Sequence, residues 1–207
     1  MFTISRSLIL SLILTAPSQA TEILSVDRLS QWYIDCAECR PEAQFDVLQG
    51  DVTRLAAQGD EVSLKRRLML PSDHPQLKWH WSTEQSLSKG VLIRVTLNFA
   101  DTSKWPERVL HYVWDNSRQQ GERERLSDFE QLLVVTGEDT AAGDWYQVSR
   151  DLSADWQEFY NDPLPVLESV EISLNMPGQN SWNDVYISDV TMTEQSPALQ
   201  PAVATDE

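Results

Sequence analysis

The side chains from which chemistry would have to be built are few in kind. The sequence holds three histidines, His74, His80 and His111, two cysteines, and 32 acidic residues. The histidines lack the HExxH spacing that puts two imidazoles on one helix face around a zinc ion. No Gly-x-Ser-x-Gly turn presents a serine nucleophile. Asp115, Asp128, Glu130, Glu138, Asp139 and Asp144 supply carboxylates, and glycoside hydrolysis needs only two of them at the right separation. In so acidic a chain an incidental pair is the commoner outcome, so these residues read as solvated surface. The loop 137–144 has oxygen ligands for calcium but not the ordered Asx and Glu spacing of a calcium loop. The expectation is therefore no catalytic residue, no metal and no cofactor.

Cys36 and Cys39 form a CxxC. A c-type haem needs His directly after the second cysteine, and Arg40 stands there. A structural zinc needs two further ligands at recognisable spacing, and a thioredoxin-like centre needs a βαβ context. A local disulfide between Cys36 and Cys39 remains, provided that the compartment is oxidising.

The compartment is indicated by residues 1–20. Arg6 precedes an apolar run, and Ser18 and Ala20 are the small residues a signal peptidase pocket admits, which predicts cleavage after Ala20 and a periplasmic or secreted protein. The residue after that point is Thr21, not cysteine, so no lipid anchor is expected. The formal net charge of −16 at pH 7 repels phosphate backbones and anionic lipid, which argues against nucleic-acid or membrane-surface binding.

The elements that must position any site are strands. Short runs of period-two alternation separated by turn residues recur from residue 44 to 192, and they predict an antiparallel all-β sandwich. Expected strands are 52–56, 62–70, 77–82, 91–99, 109–114, 131–135, 145–150, 170–176 and 185–192. One helix is expected, with Ser153 as its N-cap and Trp156, Phe159 and Tyr160 on its apolar side, ending before Pro163. Residues 23–33 offer a second short helix. Residues 21–193 form one domain, and 194–207 have nothing to bury and read as a disordered tail.

Alternation also sorts side chains by face. Trp79, Trp81 and Trp114 share the parity of their apolar neighbours and read as core. His80, Arg94, Thr96, Asn98 and His111 then point outward, and with Glu171, Ser173 and Asn175 they are candidates for one polar sheet face. Trp105 and Trp182 lie in polar turn contexts, where an aromatic either plugs the end of the sandwich or offers a flat face to a sugar ring.

Four segments in order, Leu77-Lys78-Trp79-His80-Trp81, Leu92-Ile93-Arg94-Val95, Leu110-His111-Tyr112-Val113-Trp114, and Arg150-Asp151-Leu152 leading to Asp155-Trp156 and Phe159, resemble the bacterial family called domain of unknown function 3047. The closing run Val185-Tyr186-Ile187-Ser188-Asp189-Val190 fits as well. The resemblance implies a jelly-roll-like β-sandwich similar to galactose-binding and carbohydrate-binding modules, in envelope or secreted proteins, with no established activity. The chain departs from that family's pattern at His80, where the family carries Arg, at Ser88-Lys89-Gly90, where it carries acidic residues, and at 175–180, where it favours an Asp-rich turn. A polar or metal site built on those carboxylates is accordingly not expected.

The functional expectation is an exported, non-catalytic sandwich that binds a glycan or similar polyol through His80, Arg94, Thr96, Asn98, His111, Trp105 and Trp182. The alternatives are a structural or interaction protein of the envelope without a small ligand, and a glycan-acting hydrolase.

Overall fold

The computed structural model describes residues 20–35, 42–46, 49–58, 62–73, 75–84, 90–100, 106–174, 182–188 and 190–193. Two seven-stranded sheets face each other across one continuous apolar core. Sheet 1 contains β1 (Ala20–Leu24), β3 (Glu42–Asp46), β4 (Gly50–Gln58), β6 (Gln76–Thr83), β11 (Tyr146–Asp151), β13 (Trp182–Ser188) and β14 (Val190–Thr193). Sheet 2 runs in the order β2 (Tyr33–Asp35), β5 (Val62–Leu70), β12 (Val166–Leu174), β7 (Val91–Ala100), β8 (Arg108–Asp115), β10 (Glu130–Thr136) and β9 (Arg123–Arg125). The pairing is antiparallel except between β8 and β10, which run parallel because β9 folds back on the outer edge of β10 first. The chain is an all-β sandwich, with one α-helix among the described residues.

Alternation builds both sheets. In β7, Ile93, Val95, Leu97 and Phe99 are wholly buried in the core, as β-branched and aromatic side chains on every second position of a half-buried strand should be. Opposite them, Trp79 and Trp81 of β6 meet Tyr112 and Trp114 of β8. Trp79 and Trp81 sit edge to face at 5.3 Å, the arrangement that ring quadrupoles favour. Trp81 Nε1 donates to Thr136 at 2.9 Å and Trp114 Nε1 to Thr140 at 3.1 Å. The three strand tryptophans are thus core, as their parity predicts.

The helix α1 (Leu152–Tyr160) differs in its start. Asp151, not Ser153, is the N-cap, and its carboxylate accepts from the backbone N–H groups of Ser153 and Ala154 at 3.0 and 3.1 Å. Both residue types cap well, and the last residue of β11 holds the position because its strand ends there. Asn161 closes the helix in the left-handed region at φ 51°, where Asn is tolerated. Trp156 is wholly buried beside Phe99 and Tyr160, at 4.5 and 4.4 Å between ring centroids.

Two other expectations change. Residues 23–33 make the end of β1, a 3-10 helix at Val26–Gln31 and the start of β2, not an α-helix. The expected strand 185–192 is two strands, β13 and β14, which pair with different stretches of β6. Cys36, Cys39, His74, Trp105, Asn175 and the tail 194–207 lie outside the described residues.

Candidate functional site

The outer face of sheet 2 gathers most of the expected polar residues. Strand register sets them in rows across the sheet. Thr96 of β7 lies opposite His111 of β8 and Glu171 of β12, and Glu171 lies opposite Lys65 of β5, which lies opposite Tyr33 of β2. In the next row Arg94 lies between Ser173 and Val113. On the other side of the Thr96 row, Asn98 lies between Ser169 and Val109. Four of the expected residues, Arg94, Thr96, Asn98 and His111, therefore share one face. Their positions follow from burying the alternate side chains of the same strands.

His80 is not among them. It belongs to β6 in sheet 1, where its backbone N–H donates to Ser188 Oγ at 2.8 Å and its ring Nδ1 lies 3.4 Å from the same hydroxyl. Parity places it outward correctly, but on the opposite side of the molecule, because alternation along a strand carries no information about which sheet the strand joins. Trp182 opens β13, opposite Gln58; its side chain, like Trp105, lies outside the described residues.

The face is graded from open to shielded. At its edge Tyr33 is 68% exposed, and Lys65 is exposed beside it. Toward the middle, Thr96, His111, Ser169 and Ser173 are buried. Beyond them Val113, Leu132 and Val134 form a small apolar cluster of their own on this outer side. Parity reasoning finds the polar residues of β7 and β8 but misses Tyr33, because β2 is only three residues long and shows no alternation to read. Lys65 lies on an expected strand, and parity alone does not say that β5 joins this sheet.

The hydrogen bonds in this region are specific. Thr96 Oγ1 and His111 Nδ1 are 3.0 Å apart, and Asn98 Nδ2 donates to Ser169 Oγ at 3.2 Å. Burial, with the Arg94 charge second, pushes the His111 pKa down to about 4, so the imidazole is neutral near pH 7. Arg94 is half-buried, and its Nε is enclosed with no hydrogen-bond partner. An enclosed donor left unpaired costs about 1–3 kcal/mol, more when charged. Arg94 thus carries hydrogen-bonding capacity that the protein itself leaves unused.

A different kind of polar cluster lies inside the molecule. Tyr112 Oη donates to Asp155 Oδ2 at 2.6 Å, and Arg150 Nε donates to the same oxygen at 2.9 Å while its Nη2 reaches Oδ1. Burial, with Asp155 beside it, raises the Tyr112 pKa well above the ordinary phenol value. This network ties α1 to β8 and β11; all its groups are engaged with one another. Among the described residues no group of three or more His, Asp, Glu or Cys side chains is placed to hold a metal ion.

The model of a protein family described as a protein of unknown function, DUF3047, matches residues 38–176. The chain belongs to the DUF3047 family. No curated protein matches it. Among solved structures, this DUF3047 chain is similar to a family 11 carbohydrate-binding module from Clostridium thermocellum in complex with a β-1,3-1,4-mixed-linked tetrasaccharide. That likeness has a TM-score of 0.50 and 10% identity, over 86% of this chain and 96% of the other. It is also similar to the family 11 module of the Clostridium thermocellum cellulosomal cellulase Lic26A-Cel5E, with a TM-score of 0.50 and 8% identity over 89% and 100% of the two chains. At such identities the likeness is one of fold. It establishes the DUF3047 chain as a β-sandwich of the architecture used by carbohydrate-binding modules.

Proposed function

We propose that the protein is exported and binds a glycan, without catalysis, on the outer face of sheet 2. The observation that carries this reading is half-buried Arg94 with its unpartnered Nε, set among Thr96, Asn98, Ser173 and Glu171 on two adjacent strands. Hydroxyl-rich ligands need donors and acceptors at fixed spacing, and groups held on a sheet lose little entropy when they bind. Tyr33 at the open edge adds an aromatic surface to which the apolar side of a sugar ring can pack. The fold shared with carbohydrate-binding modules supports the same ligand class. Export is supported by the Ser18-Gln19-Ala20 pattern.

A second reading has its own observation. The burial of Thr96, His111, Ser169 and Ser173 suits a face that serves architecture, as in a structural or interaction protein of the envelope. A glycan array probed with the purified protein separates the two. Binding to a defined glycan class supports the proposal, and an array with no bound glycan overturns it in favour of the structural reading.

A further inference from the structure

The two sheets leave an open side where β10 of sheet 2 faces β11 of sheet 1. Three recesses follow one another there. The first, of about 480 Å³, is walled by Gln120, Gln147, Ser149 and Arg150. The second, of about 240 Å³, shares Gln120 and Gln147 with the first and adds Asp139 and Thr140. The third, of about 180 Å³, lies on the outer side of sheet 1 among Ser82, Glu84 and Tyr186. Trp145 lines both the second and the third. Shared lining residues make the three neighbours in series, with the half-buried indole of Trp145 between the last two.

The position of Trp145 follows from register. Tyr146 pairs with Trp81, which puts the preceding residue beside Ser82, and Ser82 pairs on its other side with Tyr186. Tyr186 is fixed by donating its hydroxyl to Glu84, and burial with that carboxylate beside it pushes its pKa up to about 12. The loop carrying Asp139 and Thr140 is braced at both ends: Glu138 N–H donates to Arg118 O at 2.8 Å, Gly143 N–H to Thr83 O at 2.7 Å, and Thr140 receives the Trp114 indole N–H. The walls are therefore preorganised.

We propose that this seam is a second binding site, and that its ligand is an extended, hydroxyl-rich chain of about three linked sugar units, one for each recess, crossing Trp145. Residues with amide or hydroxyl side chains, Gln120, Gln147, Ser149, Thr140 and Ser82, recur along its length. Between them stand apolar Leu133, Val135 and Val148 and the single charges of Arg150, Asp139 and Glu84, a mixture that suits a polyol better than a densely charged ligand. A flat aromatic at the step between recesses packs against the apolar side of a ring. The inference shares only its ligand class with the proposed function; the seam lies at the margin where β10 meets β11, and its named side chains are not in the rows that hold Arg94, Thr96 and Asn98.

The test uses cellotetraose, xylotetraose and the mixed-linked β-1,3-1,4 tetrasaccharide as probes, with side-chain amide resonances read by NMR. At least one tetrasaccharide should shift the Gln120 and Gln147 amides, and the matching monosaccharide should need at least tenfold higher concentration. Trp145→Ala should weaken those shifts at least tenfold, Trp145→Phe should restore most of the affinity, and Arg94→Ala should leave them within twofold. Exposed Gln147→Ala, read at Gln120, serves if Trp145→Ala fails to fold, and should weaken binding at least threefold. The inference is overturned if none of the three probes shifts these amides, or if Trp145→Ala and Gln147→Ala bind as wild type. It is also overturned if a charged peptide shifts them and the sugars do not. Shifts confined to the Asn98 amide and abolished by Arg94→Ala would overturn the seam while upholding the site on sheet 2.

Discussion

The outer face of sheet 2 and the seam beside β11 are both polar, and they are made in different ways. The face is a product of alternation. Once Ile93, Val95, Leu97, Leu110 and Tyr112 are buried, Arg94, Thr96, Asn98 and His111 have only one direction left. The seam is a product of topology: it exists because β11 attaches to β6, the loop before β11 is pinned to Thr83, and the chain after β8 makes an excursion past Gly137. A site of the first kind tolerates loop changes; one of the second depends on a few connections holding.

The largest expected effect breaks the seam's support and spares the face. Asp155→Ala removes the carboxylate shared by Tyr112 and Arg150, leaving a half-buried guanidinium without its partner. Losing one partner of a buried pair costs about 3–5 kcal/mol. Urea unfolding should show a loss of that size; a loss below about 1 kcal/mol would mean that α1 is held to the sheets by Trp156 and Tyr160 alone.

The next effect belongs to the face and depends on pH. With a folded pKa of about 4 against an ordinary 6.5, His111 resists protonation that the unfolded chain accepts. Its contribution to stability is complete above about pH 6.5 and falls as the pH drops toward 4, in total by on the order of 3 kcal/mol. Carboxylates titrate in the same range, so the contribution is read as a difference. The fall in stability from pH 7 to pH 4 should be smaller in His111→Gln than in wild type, and equal slopes would show that the imidazole is not desolvated.

These two regions also mark how far the sequence could be read. Eight of the nine expected strands and the helix match single elements, and the ninth, 185–192, is split into β13 and β14; long alternating runs such as 91–99 and 62–70 carry their own signal. The short strands β1, β2, β3 and β9 were invisible, since three to five residues give no period, and Tyr33 was lost with them. His80 went to the wrong sheet for the reason that parity is local. Trp145, Gln147 and Gln120 drew no attention as a group, because nothing in the chain says that residues 120 and 147 will stand across one gap.

A smaller effect sharpens the contrast. A methyl group on Gly137 would lie 2.5 Å from Gln120 N and 2.9 Å from Arg118 O, so the crossing backbone must move away. Gly137→Ala should cost about 1–3 kcal/mol of stability, the usual price of overpacking, and should displace the Gln120 amide resonance while leaving that of Asn98 in place. Equal displacement of both would show that seam and face are mechanically coupled.

The most direct test of the proposed function is a titration of Arg94→Ala with a glycan that binds the wild-type protein on an array, alongside thermal melting of the same variant. Loss of a charged hydrogen bond to the ligand should weaken binding by at least about 1 kcal/mol, or roughly fivefold, with the melting temperature unchanged or raised, because Nε has no partner to lose and its enclosure is itself a cost. Undiminished affinity in a variant that melts normally would contradict the account and leave this face as solvated surface; a steep fall in melting temperature would make Arg94 a structural part of the sandwich.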